Sequence, residues 1–306
     1  MQQKPIFPKP LKSGDKICII SPSRSITSEE ISPVTKWLNT KGFKVEYGEN
    51  INRACGQFGG DDNQRIQEFQ QAIDDPAICA IWCARGGYGA ARIIDKINFE
   101  PLLHNPKWII GYSDITAIHC ALYRLGLVSL HAPMPINFGD EVETKISFDL
   151  LISYLIGVYS PIMWHSNPND IAGKTEGKLF GGNLSVLYSL RGTSYDVDPT
   201  NTIFFIEDVD EYLYHIDRMC NNMNMSDKFA QLSGFISGKF TKMNDNQIPF
   251  GMDISEILLQ YTSNVPVRTF DAPFGHINYN LPLLYGALAT LDVQKTKVTL
   301  SYNGTT

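Results

Sequence analysis

The sequence predicts an α/β protein of two domains, a parallel sheet flanked by helices followed by a strand-rich, mixed domain. Three observations carry that expectation. Short apolar runs alternate with amphipathic segments through residues 1–135, the pattern of βαβ units. The 306 residues exceed most small single domains and suit two of ordinary size. From Gly177 onward strand-like runs dominate and the alternation with helices loosens.

The elements follow in order. The opening stretch is broken by three prolines before its first apolar run, Ile17–Ile20. That run is too short for a signal peptide and reads as the first strand, "KICIISPS". "FKVEYGEN", "AICAIWCARGG", "PKWIIGYSD" and "LVSLHAPM" continue the strand series. Between them "SEEISPVTKWLNTKG" and "DDNQRIQEFQQAIDD" read as helices, with Ser28, Glu29, Glu30, Asp61 and Asp62 supplying acceptors and negative charge at their starts. We therefore expect an N-terminal domain over 1–140, an interdomain linker over 141–175 and a C-terminal domain over 176–306. The linker contains the helix-like "KISFDLLISYLIG". The last segment, "YGALATLDVQKTKVTLSY", reads as a closing hairpin.

Composition excludes several classes of function. Hydrophobic residues make up 43% of the chain and charged residues 19%, which suits a globular protein with ample core material. The formal charge is −6 with no long basic run, so no nucleic-acid partner is expected. No apolar run is long enough to span a bilayer. Cysteines 18, 55, 79, 83, 120 and 220 are scattered without paired Cys-x-x-Cys clusters, and read as free buried thiols in a reducing cytosol rather than as a zinc site.

In a parallel sheet, sites form where strand C-termini meet the next helix. Three loops have that placement: "SPSRS", "ARGGYG" and "GYSD". In the last, Ser113 stands at a strand-to-helix corner and reads either as a helix N-cap or as a nucleophile. Asp114 follows at the first helical position, its side chain suited to the helix N-terminus and its backbone N–H to the same cleft as that of Gly87. Adjacent glycines 86 and 87 either make a tight turn or let backbone donors face a developing oxyanion. G-G-x-G lacks the full dinucleotide fingerprint, and G-Y-S-D does not match the G-x-S-x-G elbow.

A serine needs a base, and the base needs an orienting acid. His276 lies in the polar loop "DAPFGHINYNLP" and ranks first among the six histidines; His131 in "SLHAPMP" ranks second. His119 reads as packed within its helix, His104 and His165 as exposed, and His215 as sitting at a helix start. Glu207 follows the apolar run Ile203–Ile206 and is either the buried orienting acid or a solvated strand end. Asp208, Asp210 and Glu211 read as solvated or paired with Arg218.

Taken in order, "ARGGYGAARII", "GYSDITAIH", "GGNLSVLYSLRGT", "IFFIEDVDEYLYHIDRM" and "PFGHINYNLPLLYGALATLD" resemble the serine LD-carboxypeptidases, or muramoyltetrapeptide carboxypeptidases, across nearly the whole chain. The resemblance implies a triad of nucleophile Ser113, acid Glu207 and base His276, with an oxyanion hole from the amides of Gly87 and Asp114. It implies an N-terminal domain similar to class I glutamine amidotransferases, a smaller β-rich C-terminal domain, and an active site formed between the two. It further implies a cytosolic homodimer that uses no metal or cofactor and cuts murein tetrapeptide before its terminal D-alanine. Arg85 and His131 are candidate substrate-binding residues. His131–Ala132–Pro133 stands where members often carry His-Gly-Pro, which bears on pocket shape. A branch of the same family hydrolyses microcin-C-type peptide nucleotides, for which Trp82, Trp108 and Trp164 are candidate aromatic platforms, although the first two read as core. A non-catalytic two-domain binding protein is the alternative of another class.

Overall fold

Local sequence sets the two long N-terminal helices. Thr27 caps α1 (Ser28–Thr40), accepting from the Glu30 amide while the Glu30 side chain accepts from the Thr27 amide. Asp61 and Gln64 form the same reciprocal pair at the start of α2 (Asp62–Asp74). Each box satisfies two of the donors that a helix start leaves open. The α1 cap is thus one residue earlier than Ser28.

A computed structural model describes residues 4–303. The chain divides into two compact units. One runs through Val158 and takes back Asn278–Leu284; the other comprises Tyr159–Ile277 and the chain from Tyr285.

In the first unit the order is β1 (Lys16–Ile20), α1, β2 (Lys44–Tyr47), α2, β3 (Ile78–Cys83), α3 (Pro101–His104), β4 (Trp108–Gly111), α4 (Thr116–Arg124), β5 (Ser129–His131) and α5 (Val142–Leu155). The pairs β1–β2, β1–β3, β3–β4 and β4–β5 are all parallel. Strands β3 and β4 are apolar and buried almost throughout, as strands covered on both faces must be. Trp82 and Trp108 are fully buried, with indole N–H groups donating to Pro133 O at 3.0 Å and Lys9 O at 3.1 Å, so both are core residues. Helix α5 brings Phe148 against Trp82 and Trp37, with ring centroids 5.8 Å apart in each case. Burying one such ring contributes about 1.5–3 kcal/mol. The stretch 141–175 therefore carries α5, packed into the first unit, and β6 (Ile162–His165) of the second; the boundary between units falls inside it, at Val158.

The second unit continues from β6 with β7 (Gly173–Asn183), α6 (Leu184–Ser189), β8 (Thr202–Val209), α7 (Leu213–Asn224), β9 (Gly234–Thr241), α8 (Ile254–Thr262) and β10 (Arg268–Thr269). Then come β11 (Leu283–Tyr285), which joins the first sheet, and the hairpin β12 (Leu288–Val293) and β13 (Lys297–Tyr302). The first sheet is six-stranded, in the order β11-β5-β4-β3-β1-β2, and the second seven-stranded, β10-β9-β8-β7-β12-β13-β6. Strands β7 to β10 are parallel, whereas β12, β13 and β6 add antiparallel pairs. That is the mixed pattern the sequence predicts. At Gly181, φ is +153° and a Cβ would lie 1.8 Å from Phe205 O, so only glycine lets β7 lie against β8 there.

Strands leave β1 in opposite directions in the first sheet, β2 to one side and β3 to the other. Crevices open at such a switch point, beyond the strand C-termini. The loops after β1 and β3 flank it, and the loop after β4 comes next.

Candidate active site

The serine half lies in the first unit. Ser113 follows β4 by two residues and begins a short 3-10 turn that leads into α4. Its φ is +60°, a left-handed conformation that costs a non-glycine residue of order 1–3 kcal/mol. The residues that precede the turn and α4, Tyr112 and Ile115, make no side-chain cap hydrogen bond. A strained strand-to-helix corner of this kind is one at which a sheet can present a nucleophile.

Glycine loop 86–89 lies against this corner. A Cβ on Gly86 would sit 3.3 Å from Ser113 Cβ and 3.4 Å from its Oγ. Gly87 has φ +112°, and a Cβ there would meet the Arg24 side chain at 2.5 Å. Both glycines admit a close approach of backbone to neighbouring side chains.

Buried charges hold these loops. Asp114 is 3% exposed and accepts hydrogen bonds from Ser23 Oγ at 2.5 Å and Ala90 N at 2.8 Å. Burial pushes its carboxyl above the usual range, opposed by these donors and by the Gly89 amide. Arg65 is fully buried; its Nη1 donates to Pro22 O at 2.6 Å and Gly89 O at 2.9 Å, and its Nη2 pairs with Asp62. Glu68 accepts from the Ser21 amide at 2.9 Å and the Asn50 amide at 2.8 Å, and burial pushes its carboxyl up to about 7. Three charged side chains thus pin the backbone of loops 21–24 and 86–90. Sequence reasoning missed Ser23, Arg65 and Glu68. The signal was there for Arg65, which falls on the buried stripe of α2 with Phe69, Ala72 and Ile73.

Two histidines of this unit are fully buried. His119 is fully buried on α4, its Nε2 donating to Gly111 O and its Nδ1 accepting from Ser129 Oγ, both at 2.8 Å. Burial lowers it to about 4. His131 ends β5, fully buried, 5.9 Å edge-on from Tyr112 and 6.3 Å from His119. Arg85 is half-exposed, with Nη1 3.6 Å from Glu30 Oε1.

The acid and base candidates lie together in the second unit. Glu207 sits within β8, paired in register with Asn183 of β7. It is fully buried, which settles the choice between buried and solvated acid. His276 Nδ1 is 2.8 Å from Glu207 Oε2. The carboxylate accepts, so Nδ1 carries the hydrogen in this contact. Burial alone would lower the His276 pKa, but the Glu207 charge and hydrogen bond, with the nearby Asp208 charge, outweigh it and raise the pKa. Gly275 makes the approach possible: φ is +117°, and a Cβ would lie 3.1 Å from Lys239 O and 3.2 Å from Glu207 Cβ. Lys239 N donates to Phe274 O at 3.0 Å and fixes the loop to β9.

A register shift of β8 against β9 between Ile206 and Asp208 disturbs the strand's alternation, and both Glu207 and Asp208 are buried. Asp208 is thus neither solvated nor paired with Arg218. It accepts from Asn183 Nδ2 at 2.9 Å and Ser185 Oγ at 2.6 Å, and burial with the Glu207 charge raises it to about 6. Glu211 instead holds His215 and Ser185, and Asp210 holds Asn244. Arg218 lies over the Tyr214 ring at 5.4 Å. Cys55 is exposed and Cys79 half-buried, whereas the other four thiols are buried as expected, and none of the six is in a disulfide. Among the described residues no group of His, Cys, Asp and Glu is placed to hold a metal ion, and no helix is long and apolar enough to cross a membrane.

Comparison with known proteins fits this constellation. Residues 17–132 match the LD-carboxypeptidase N-terminal domain and residues 176–291 the LD-carboxypeptidase C-terminal domain. A Bacillus subtilis protein named "Probable murein peptide carboxypeptidase" is 31% identical, over 95% of this chain and 93% of its own. The Microcin C7 self-immunity protein MccF of Escherichia coli is 27% identical, over 100% of this chain and 99% of its own. The crystal structure of muramoyltetrapeptide carboxypeptidase from Oxalobacter formigenes superposes with a TM-score of 0.84 at 26% identity, covering 94% of this chain and 98% of that one. Both domain matches, with a relative 31% identical along nearly the whole chain, make this chain a member of the LD-carboxypeptidase family.

Proposed function

We propose that this protein is a serine hydrolase that removes the terminal D-alanine from murein tetrapeptide, with Ser113 as nucleophile, His276 as base and Glu207 as orienting acid. The observation that carries the reading is the 2.8 Å contact between buried Glu207 and His276, on a loop that only glycine at 275 lets approach. A buried carboxylate costs several kcal/mol unless it is paired, so its retention beside a histidine suits an acid that orients a base.

The chemistry then follows. His276 Nε2 takes the proton of Ser113 as its Oγ attacks the carbonyl carbon before D-alanine. The oxyanion is stabilised by the amides of Gly87 and Asp114. His276 returns the proton to the leaving nitrogen, D-alanine departs, and water attacks the acyl-enzyme by the same route. Arg85 enters the reading as a charge at the pocket rim, and His131 as support behind the Ser113 corner through Tyr112. The products, a tripeptide and D-alanine, suit cell-wall recycling in the cytosol by a homodimer.

A second reading has its own support, since MccF matches this chain along its whole length: hydrolysis of a peptidyl-sulfamoyl nucleotide by the same three residues. The deciding experiment is mass spectrometry of murein tetrapeptide incubated with the wild type and with Ser113→Ala. Loss of one D-alanine with wild type only supports the carboxypeptidase. An intact peptide, with cleavage of peptidyl-sulfamoyl-adenosine, transfers the reading to the nucleotide substrate. Cleavage of neither sinks both.

A further inference from the structure

A carboxypeptidase must recognise a free carboxylate next to the bond it cuts, and the residue that does so follows from the geometry around Gly87. By standard backbone dimensions the terminal carboxylate carbon lies within about 4 Å of the scissile carbonyl carbon. The cation that reads it must therefore stand within a few ångströms of the oxyanion donors. Arg24 has that position. The Cβ site of Gly87 is 2.5 Å from Arg24 Cδ and 2.7 Å from its Nε, so the guanidinium stem lies directly over the Gly87 backbone. At the neighbouring residue, Gly86, a Cβ would lie 3.3 Å from Ser113 Cβ and 3.4 Å from its Oγ, so its backbone borders the serine. Two consecutive glycines thus carry the nucleophile on one and the guanidinium on the other.

Arg24 is held at its base and open at its end. Its amide donates to Gly86 O at 3.4 Å, its carbonyl accepts from Ser21 Oγ at 2.8 Å, and Ser25 N donates to Gln57 O at 2.9 Å. The loop is further pinned by Glu68 and Arg65 through Ser21 and Pro22. The side chain is exposed, and among the described residues no carboxylate is ion-paired with it. Arg85, by contrast, already faces Glu30. A pinned backbone and an unneutralised guanidinium, whose planar fork matches a carboxylate, are what recognition of that group requires.

We propose that Arg24 binds the C-terminal carboxylate of the substrate and so makes the enzyme a carboxypeptidase; this rests on the hydrolase reading above. The test compares murein tetrapeptide with its C-terminal carboxamide, taking the ratio of kcat/KM for acid over amide. Wild type should favour the acid. Arg24→Gln should lower that ratio roughly 10- to 100-fold, the range expected for one charge-assisted hydrogen-bonded contact, chiefly by slowing the acid. Arg24→Lys should fall between the two. The amide reaction controls for folding, since it lacks the group being read. An unchanged ratio in Arg24→Gln, including an equal loss on both substrates, overturns the assignment while leaving the hydrolase intact. A wild type that cuts neither substrate, or does not discriminate, overturns the assignment as well, and only the former touches the hydrolase reading.

Discussion

Replacing Glu207 by glutamine isolates what its charge does, because the side chain keeps its size in a fully buried site. In the proposed mechanism Ser113 gives up its proton and His276 becomes a cation 2.8 Å from Glu207 Oε2. A hydrogen bond to a charged partner is worth about 1.5–3 kcal/mol net, or roughly 10- to 150-fold in rate. A glutamine that turns its NH2 toward Nδ1 also forces the wrong tautomer, and the analogous substitution in a serine triad costs about 10⁴-fold. Glu207→Gln should therefore lower kcat by roughly 10²- to 10⁴-fold with little change in KM. The pH profile gives a sharper readout. Glu207 raises the His276 pKa, and a base must be neutral to accept a proton, so if His276 is that base the acid limb of kcat/KM should move to lower pH in the variant. The same pair contributes stability below the unfolded histidine value of about 6.5, which is lost as pH rises through the raised folded value; the variant should lack that slope. Stopped assays from pH 5 to 9 and urea melts over the same range measure both. An acid limb that stays in place, or moves upward, would refute the assignment of Glu207 as the acid behind the base.

Two further outcomes are expected. Gly275→Ala should destabilise the protein by about 1–3 kcal/mol in urea melts, because alanine is strained at φ +117° and its Cβ would crowd Lys239 O and Glu207; it should also cut activity by displacing His276, and a fully active variant would contradict that. His119, lowered to about 4 by burial, stays neutral in the folded protein while the unfolded chain takes up a proton near pH 6.5. Stability should accordingly fall by roughly 3 kcal/mol between pH 7 and pH 4 from this group alone, a loss that His119→Gln should reduce and that an unchanged slope in the variant would rule out.

Much of the fold was legible because it rests on local chemistry. Alternating apolar runs and helical stretches specify β1 to β5 with their helices, since both periodicities are written along the chain. Ser113, Glu207 and His276 were named from loop placement, a strand end and a family likeness. The buried charges were not legible in the same way. Asp208 looks like a solvated polar residue in sequence, and only a place on the buried stripe of α2 sets Arg65 and Glu68 apart, because a charge's burial depends on partners far along the chain. Arg65 meets carbonyls at Pro22 and Gly89, and Asp208 meets Asn183 and Ser185. The register shift in β8 that accompanies the burial of two adjacent acids has no sequence signature either.

The sequence by itself determined where strands, helices and the serine corner fall, since caps, periodicity and glycine positions act within a few residues. Tertiary structure alone decided which acid meets His276, which charges brace the glycine loop, and that Arg24 lies over Gly87. Those pairings are set by burial and close approach between segments distant in the chain, and desolvation makes them strong only once the fold has brought them together.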